Sequence, residues 1–315
     1  MQALILDASG PRVVADHPFV ARPGEATVDV RLAGVCATDL ELVKGYMGFS
    51  GVLGHEWVGT VSDGPAAWMG ARVVGDINAA CGGCETCRAG RSTHCPSRTV
   101  LGIQGRDGAF AEHLSLPVEN LHRVPDGVSD EAAVFVEPLA AACQILEQVH
   151  VRPSDRVVVL GLGRLGQLCA RVLALTGARV QGVSRSPGPL ALLPASVPGV
   201  LSAEVEPDRS ADIVVDCTGS SAGMATAMQW LRPRGTLVLK TTTHDIGETT
   251  PTAWVIDEVT VVGSRCGPFE PALRLLSAGL IDPTGLIQAE RALADGLDAL
   301  HQAAKAGVMK VVVRP

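Results

Sequence analysis

Apolar and polar positions along this chain follow two rhythms, which change over at about residue 120. Before it the segments are short. ATVDVRLAG (26–34) alternates apolar and polar residues, as a half-buried strand does. WVGTVSDG and ARVVGDI follow, punctuated by glycine. After it the pattern is different. RVVVLGLG (156–163) is a continuous apolar run, as expected of a parallel strand covered on both faces. RLGQLCARVLALTG comes next, with Leu165, Leu168, Cys169, Val172 and Leu173 at helical spacing and Gly177 as a stop. RVQGVS (179–184), DIVVDCTG (212–219), GTLVLKTT (235–242) and VTVVGS (259–264) read as further strands, and SSAGMATAMQWLRP (220–233) as a helix between two of them. Strand alternating with helix predicts an α/β, doubly wound parallel sheet. The prolines at 187, 189, 194 and 198 would interrupt any long helix in PGPLALLPASVPG.

Composition narrows the possibilities. A chain of 315 residues suits two domains, and 47% hydrophobic with 19% charged residues suffices for full cores. Aromatics are only 3%, so Val, Leu, Ile and Ala must fill those cores. A net charge of −7 argues against nucleic acid or an acidic membrane as the main partner. The start MQALILDASG has no basic, apolar leader, and no run approaches ~18 apolar residues, so neither a signal peptide nor a membrane span is expected, and a cytoplasmic location is.

Four of the nine cysteines, Cys81, Cys84, Cys87 and Cys95, fall in CGGCETCRAGRSTHC. This spacing predicts a closed tetrahedral zinc site, with Gly82, Gly83 and Gly90 allowing the loop to wrap one ion. Cys143, Cys169 and Cys217 lie in apolar segments and read as buried small hydrophobes.

G-x-G-x-x-G appears as Gly161, Gly163 and Gly166, closing a buried strand and opening an amphipathic helix. In that context it marks a dinucleotide turn: a tight turn, a close approach for the pyrophosphate, and close packing of helix on strand. Roughly 20 positions on, an acidic residue would grip the ribose of NAD. Here stand Ser184, Arg185 and Ser186, so no carboxylate repels a 2′-phosphate and Arg185 can pair with it. NADP is therefore favoured over NAD.

A second constellation comprises Cys36, Thr38 and Asp39 in GVCATDLE, His55 and Glu56 in GVLGHEWVG, and Glu137 in VFVEPLAAA. A catalytic zinc takes about three such protein ligands and keeps one position open. Taken singly, each has a structural explanation, and their spacing does not show that they meet.

In their order along the chain, GVCATD, GHEWVG, the cysteine loop, EPLA, GLGRLG and DCTG resemble the zinc-dependent alcohol and polyol dehydrogenases of the medium-chain dehydrogenase/reductase family. The likeness covers nearly the whole chain. It implies a mainly β, GroES-like catalytic domain (1–122 and 266–315) and a Rossmann dinucleotide domain (123–265). By the same resemblance, Cys36, His55 and Glu137 would hold a catalytic zinc, Glu137 directly or through water, with Glu56 an intermittent ligand or a partner behind the ligands. Thr38 would pass the alcohol proton and Asp39 would orient His55. Gly161, Gly163, Arg164, Leu165, Gly166, Ser184 and Arg185 would line the dinucleotide, with Thr218 and Gly219 near its adenosine or ribose.

The implied activity is reversible hydride transfer between NADP(H) or NAD(H) and a secondary alcohol, polyol or sugar, by a homodimer or homotetramer joined through VTVVGS. Glu137 stands where the alcohol branch has a second cysteine, which favours the polyol, sugar and amino-alcohol branches. Glu41 stands where many members end their proton relay with a histidine, and the segments after Cys36 and Gly59 look short for the family. Tyr46, Phe49, Trp57, Phe110 and Trp254 are candidate pocket walls. The seven histidines other than His55, His244 among them, read as surface or core residues. Two alternatives use the same motifs: a zinc-ribbon interaction or sensor protein with a dinucleotide domain, and a zinc-free quinone or alkene reductase.

Overall fold

The computed structural model describes residues 1–242 and 251–315. His244 lies outside them. The chain forms two compact units: Met1–Glu137 with Phe269–Pro315, and Pro138–Pro268. These limits differ from the expected 122/123 and 265/266. The short helix Asp130–Ala133 packs against the strands Glu25–Gly34 and Glu56–Asp63, and Asp130 receives Arg31 at 2.7 Å and Arg72 at 3.2 Å. Those ion pairs hold residues beyond 122 in the first unit.

The first unit is mainly β. Its largest sheet runs, strand by neighbouring strand, Leu121–Arg123, Arg72–Gly75, Glu56–Asp63, Glu25–Gly34, Lys310–Arg314 and Ile287–Ala292, with His113–Pro117 also paired to Glu25–Gly34. The predicted alternation at 26–34 is present only in the middle of the strand: Val28, Val30 and Leu32 are buried with Asp29 and Arg31 more open between them, whereas Thr27, Ala33 and Gly34 are buried as well. The last strand lies antiparallel to Glu25–Gly34, with Val312 opposite Gly34 and Val313 opposite Ala33. A small sheet of Asn78–Ala79, Thr99–Leu101 and Gly105–Arg106 brackets the cysteine loop.

The second unit is the doubly wound sheet. Counted in chain order, its six strands are Arg156–Leu160, Arg179–Ser184, Gly199–Leu201, Ala211–Asp216, Leu231–Leu239 and Thr260–Gly263. They are all parallel, in the spatial order three-two-one-four-five-six. That order reverses beside the first strand, the position at which such sheets bind dinucleotides beyond their carboxyl ends. Val158, Leu160, Val214, Leu237, Met224 and Trp230 fill one face. Trp254 packs on that cluster, and Trp57 and Phe110 are buried in the first unit, so three of the five candidate pocket walls are packing residues.

Two elements differ from the sequence expectation. The helix read over 220–233 ends at Trp230, and Leu231 already begins a strand. The third strand, Gly199–Leu201, was not expected, because three residues at the end of a proline-rich tract carry no readable period. Among the described residues no helix is long and apolar enough to cross a membrane.

A buried fork ties the cysteine-loop sheet to the large one. Arg106 donates to both oxygens of Glu25 at 2.6 and 2.7 Å, Ser115 Oγ adds a bond at 2.7 Å, and Arg106 also reaches Ser115 O and Thr99 Oγ1. Burial pushes the Glu25 carboxyl upward, but the bonds from Arg106 and Ser115 outweigh it and hold it below the usual carboxylate value. A depressed folded-state value means stability present above about pH 4 and lost as pH falls through the folded value. Arg106→Met should strand the carboxylate and cost about 3–5 kcal/mol in thermal unfolding. Adding Glu25→Gln should recover part of that loss and flatten the acid limb of the stability profile.

Candidate active site

Cys36 ends an extended segment and caps the helix Ala37–Val43. Asp39, three positions on, turns back so that Oδ2 accepts the Cys36 N–H at 2.8 Å, closing the turn that presents the thiol. Its other oxygen accepts the N–H of Gly54 at 3.2 Å. Gly54 has φ +93°, and a Cβ there would lie 2.7 Å from the Phe110 ring, so only glycine lets this segment pass. The next residue, His55, is buried, with Nδ1 3.2 Å from Asp39 Oδ1. The pair is an ion contact rather than an aligned hydrogen bond, since Nδ1 has no hydrogen-bond partner. Burial alone would lower the His55 pKa, yet Asp39 and Cys36 raise it well above the usual imidazole value.

Ligand atoms of Cys36, His55 and Glu56 all lie within 4.8 Å of one another. Residues nearly twenty positions apart in sequence thus converge on one point. A half-buried thiol, an imidazole with an orphaned nitrogen and a buried carboxylate are the donor set a catalytic zinc takes. Thr38 Oγ1 is 3.8 Å from Cys36 Sγ.

Glu137, expected as the third ligand, stands outside that cluster. It begins the helix Val136–Gln148, close enough to feel His55, Glu56, Asp76 and Lys310. Burial pushes its carboxyl up to about 7; Glu56 and Asp76 add to this, while His55 and Lys310 oppose it.

Lys310 was not singled out in the sequence. It opens the strand that pairs with Glu25–Gly34, and its Nζ forms a buried ion pair with Glu56 Oε2. Its ammonium also lies 5.3 Å from the centre of the Phe135 ring. Gly34 gives this pair room, since a Cβ there would stand 2.7 Å from Glu56 Oε2. The signal for it was faint: a single lysine before three valines in KVVVR, at a position where a sheet strand should be apolar.

The four loop cysteines also converge. Cys84 and Cys87 sulfurs are 3.4 Å apart, Cys81 and Cys95 3.6 Å, Cys84 and Cys95 3.9 Å, and Cys81 and Cys87 3.9 Å. Sulfurs about 2.3 Å from a central zinc at tetrahedral corners would be about 3.8 Å apart. No pair is bonded as a disulfide. The N–H groups of Cys84 and Gly83 pull the Cys81 thiol down to about 6, and burial with the three neighbouring thiols pushes Cys87 up to about 12. Four crowded sulfurs of which only some ionise readily is the electrostatic state that a cation relieves. The residues fit a structural zinc.

The dinucleotide turn fits its ligand as well. Gly161 has φ +82°, and a Cβ on it would stand 2.8 Å from Cys217 O. A Cβ on Gly166 would run into Gly161 O, whereas Gly163 faces open space where a pyrophosphate can approach. The helix Arg164–Ala174 starts there and aims its first N–H groups at that space, beside Arg164 and Leu165. Ser184 ends the second strand, its hydroxyl turned to Ser186 O at 2.9 Å, and Arg185 is exposed beside it. Thr218 and Gly219 follow the fourth strand, with Thr218 donating to Asp216 Oδ1 and Gly219 N–H to Thr241 Oγ1. All of these sit at the carboxyl ends of the sheet.

Comparison with known proteins gives the family of this fold. Residues 22–126 match the alcohol dehydrogenase GroES-like domain. Sorbitol dehydrogenase of Halalkalibacterium halodurans is 27% identical over 321 residues, 92% of each chain. The D-xylulose reductase A relative of Aspergillus fumigatus is 30% identical over 251 residues, covering 70% of this chain and 69% of its own. A crystal structure from Sinorhizobium meliloti, described as a zinc-binding dehydrogenase bound to NADP, superimposes with TM-score 0.88 at 27% identity over 100% of this chain and 99% of its own. With a relative 30% identical over about two thirds of both chains and the matching GroES-like domain, the chain belongs to the zinc-dependent polyol and alcohol dehydrogenases of the medium-chain dehydrogenase/reductase family.

Proposed function

We propose that this protein transfers a hydride reversibly between NADP(H) and a secondary alcohol of the polyol or sugar class, with Cys36, His55 and Glu56 holding the catalytic zinc and Glu137 completing the site. The observation that carries this reading is the convergence of Cys36, His55 and Glu56 ligand atoms within 4.8 Å of one another. The names of the sorbitol and xylulose relatives support the substrate class. When bound, the zinc supplies Lewis-acid polarisation of the substrate oxygen, and the dinucleotide supplies the hydride acceptor.

The chain's own residues do the rest. Asp39 holds Cys36 and Gly54 by their N–H groups and so keeps the thiol facing His55. Thr38 accepts the alcohol proton and passes it outward. Glu41 does not extend the relay as a buried base. It is exposed and paired with Lys44 at 2.8 Å, so the proton leaves to solvent. Lys310 neutralises Glu56 and anchors it, which sets how far that carboxylate can swing toward the metal. The four-cysteine loop takes the structural zinc.

The NADP preference rests on the end of the second strand. Ser184 and Arg185 offer a hydroxyl and an exposed guanidinium where NAD-specific sites place a carboxylate. The sixth strand, Thr260–Gly263, is an edge with Thr260, Val261 and Gly263 exposed, and flanking Val255 and Ile256 are exposed too. An unprotected apolar edge of this kind invites pairing with a second copy.

Metal analysis of the purified protein should find two zinc ions per chain. Cys36→Ser should leave one and remove turnover of a polyol panel while NADPH still binds; near-normal turnover in that variant would remove the metal assignment. Asp39→Asn should lower activity or metal affinity about 10–100-fold. Ser184→Asp should weaken NADPH binding and spare NADH, read by fluorescence titration; equal effects on both would place the 2′-phosphate elsewhere. Light scattering should give a dimer or tetramer, and Val261→Lys should shift it toward monomer without loss of fold.

A further inference from the structure

The second strand ends at Ser184, and Ser184, Arg185 and Ser186 run straight into the short helix Pro187–Leu190. That helix is one turn long, and Pro187 and Pro189 in it have no N–H to donate. Its internal bonds are long: Ala191 N–H to Pro187 O at 3.3 Å, Leu192 N–H to Pro189 O at 3.3 Å and Leu193 N–H to Leu190 O at 3.2 Å. A single turn held so loosely does not fix its own place, which must be set from outside.

The outside support is Gln167. It stands on the helix Arg164–Ala174 that opens after the glycine turn, and it is fully buried. Its Nε2 donates to Pro189 O at 2.7 Å and, less closely, to Leu162 O at 3.4 Å. Its Oε1 accepts from Arg171 Nη1 at 2.8 Å. Two carbonyls on one side and a guanidinium on the other fix which way the amide points. Arg171 repeats the connection, donating to Leu192 O at 2.7 Å. Leu162 lies in the glycine turn itself, between Gly161 and Gly163. One buried amide therefore touches the backbone of the pyrophosphate turn and of the segment behind the ribose loop.

An apolar side chain would fill this position without desolvating an amide, as Leu168, Cys169, Val172 and Leu173 do along the same helix. Packing makes the same link. A Cβ on Gly182, in the second strand, would stand 3.0 Å from both Leu162 and Leu193, so its absence lets the two leucines lie over the strand there. The two ends of the bridge do not depend on Gln167 equally. The glycine turn has other supports, with Gly161 N–H on Val183 O at 3.0 Å and the Gln167 N–H on Gly163 O at 2.9 Å. The short bond to Pro189 O is the one that its neighbours do not replace.

We propose that Gln167 is a positioning residue for cofactor choice: by holding Pro189 it fixes Ser184–Ser186 where a 2′-phosphate arrives, and so sets a preference for NADPH over NADH. This rests on the reading of the second-strand end as the 2′-phosphate site. The two cofactors differ only in that phosphate, so a loop that shifts weakens contacts that NADH never makes. Those contacts are charge-assisted and directional, which makes them sensitive to placement. The shift is transmitted locally. Ser186 N–H bonds to Ser184 Oγ at 3.2 Å and Ser184 Oγ to Ser186 O at 2.9 Å, so movement at Pro187 carries both serines with it.

The test is a set of dissociation constants for NADPH and NADH, read by fluorescence titration of the full chain as wild type, Gln167→Met, Arg185→Ala and the double variant. The wild type should bind NADPH more tightly. Gln167→Met should weaken NADPH about tenfold and NADH far less. In the Arg185→Ala background the same substitution should cost NADPH less than about threefold, because a contact it positions is already gone. Gln167→Asn keeps the amide but is one methylene too short to reach Pro189. It should act as Gln167→Met does, and it takes that variant's place if Gln167→Met melts early.

Equal weakening of both cofactors by the Gln167 variants overturns the proposal, since that is what a purely structural glutamine would give. Unchanged NADPH binding overturns it too, as do losses that simply multiply in the double variant. A wild type without preference for NADPH, or one whose preference survives Arg185→Ala, defeats the reading of the second-strand end and the proposal with it. A preference lost in Arg185→Ala but kept in Gln167→Met defeats only the role of Gln167.

Discussion

The carboxylate of Asp39 is the constraint on which the metal site depends. It is fully buried, and an ionised carboxyl in that position is tolerable only when its oxygens are occupied. The occupants are the N–H of Cys36, the N–H of Gly54 and the edge of the His55 ring. One of these belongs to the helix entry and two to a separate segment, so satisfying one charge fixes two stretches of chain against each other. The thiol and the imidazole meet as a consequence. Its charge also raises the His55 pKa against the opposing effect of burial.

A second buried pair continues the same arrangement. Glu56 follows His55 directly and would be a costly charge in a strand of the main sheet without Lys310. That lysine arrives on a strand some 250 residues later in the chain, antiparallel to Glu25–Gly34. The register with Val312 opposite Gly34 is what brings ammonium and carboxylate together, and the missing side chain at Gly34 is what leaves space for them. Metal chemistry near residue 55 therefore depends on sheet pairing near residue 310.

Much of this was legible in the sequence because its signals are local. Four cysteines in fifteen residues can wrap one ion whatever surrounds them, and their sulfurs do stand at near-tetrahedral separations. Gly161, Gly163 and Gly166 follow a buried apolar strand, and each plays a steric part that no other residue could take over without collision or loss of approach. What failed locally failed for a physical reason. Gly199–Leu201 is too short to show a period and is a strand only because the second strand pairs with it. Leu231–Pro233 follows a helix without a break because sheet pairing overrides its helical continuation.

The sequence by itself determined the elements and the chemistry each could carry, since strand and helix periods, glycine conformations and clustered thiols act over a few residues. Convergence was decided by the tertiary structure alone. That Cys36 meets His55 and Glu56, that Glu137 stands outside their tight cluster, and that Lys310 and Gln167 are buried among oxygens all depend on contacts between distant segments. Such contacts follow from which charges the core must neutralise and which backbone groups remain free to do it, and neither is written in any short stretch of chain.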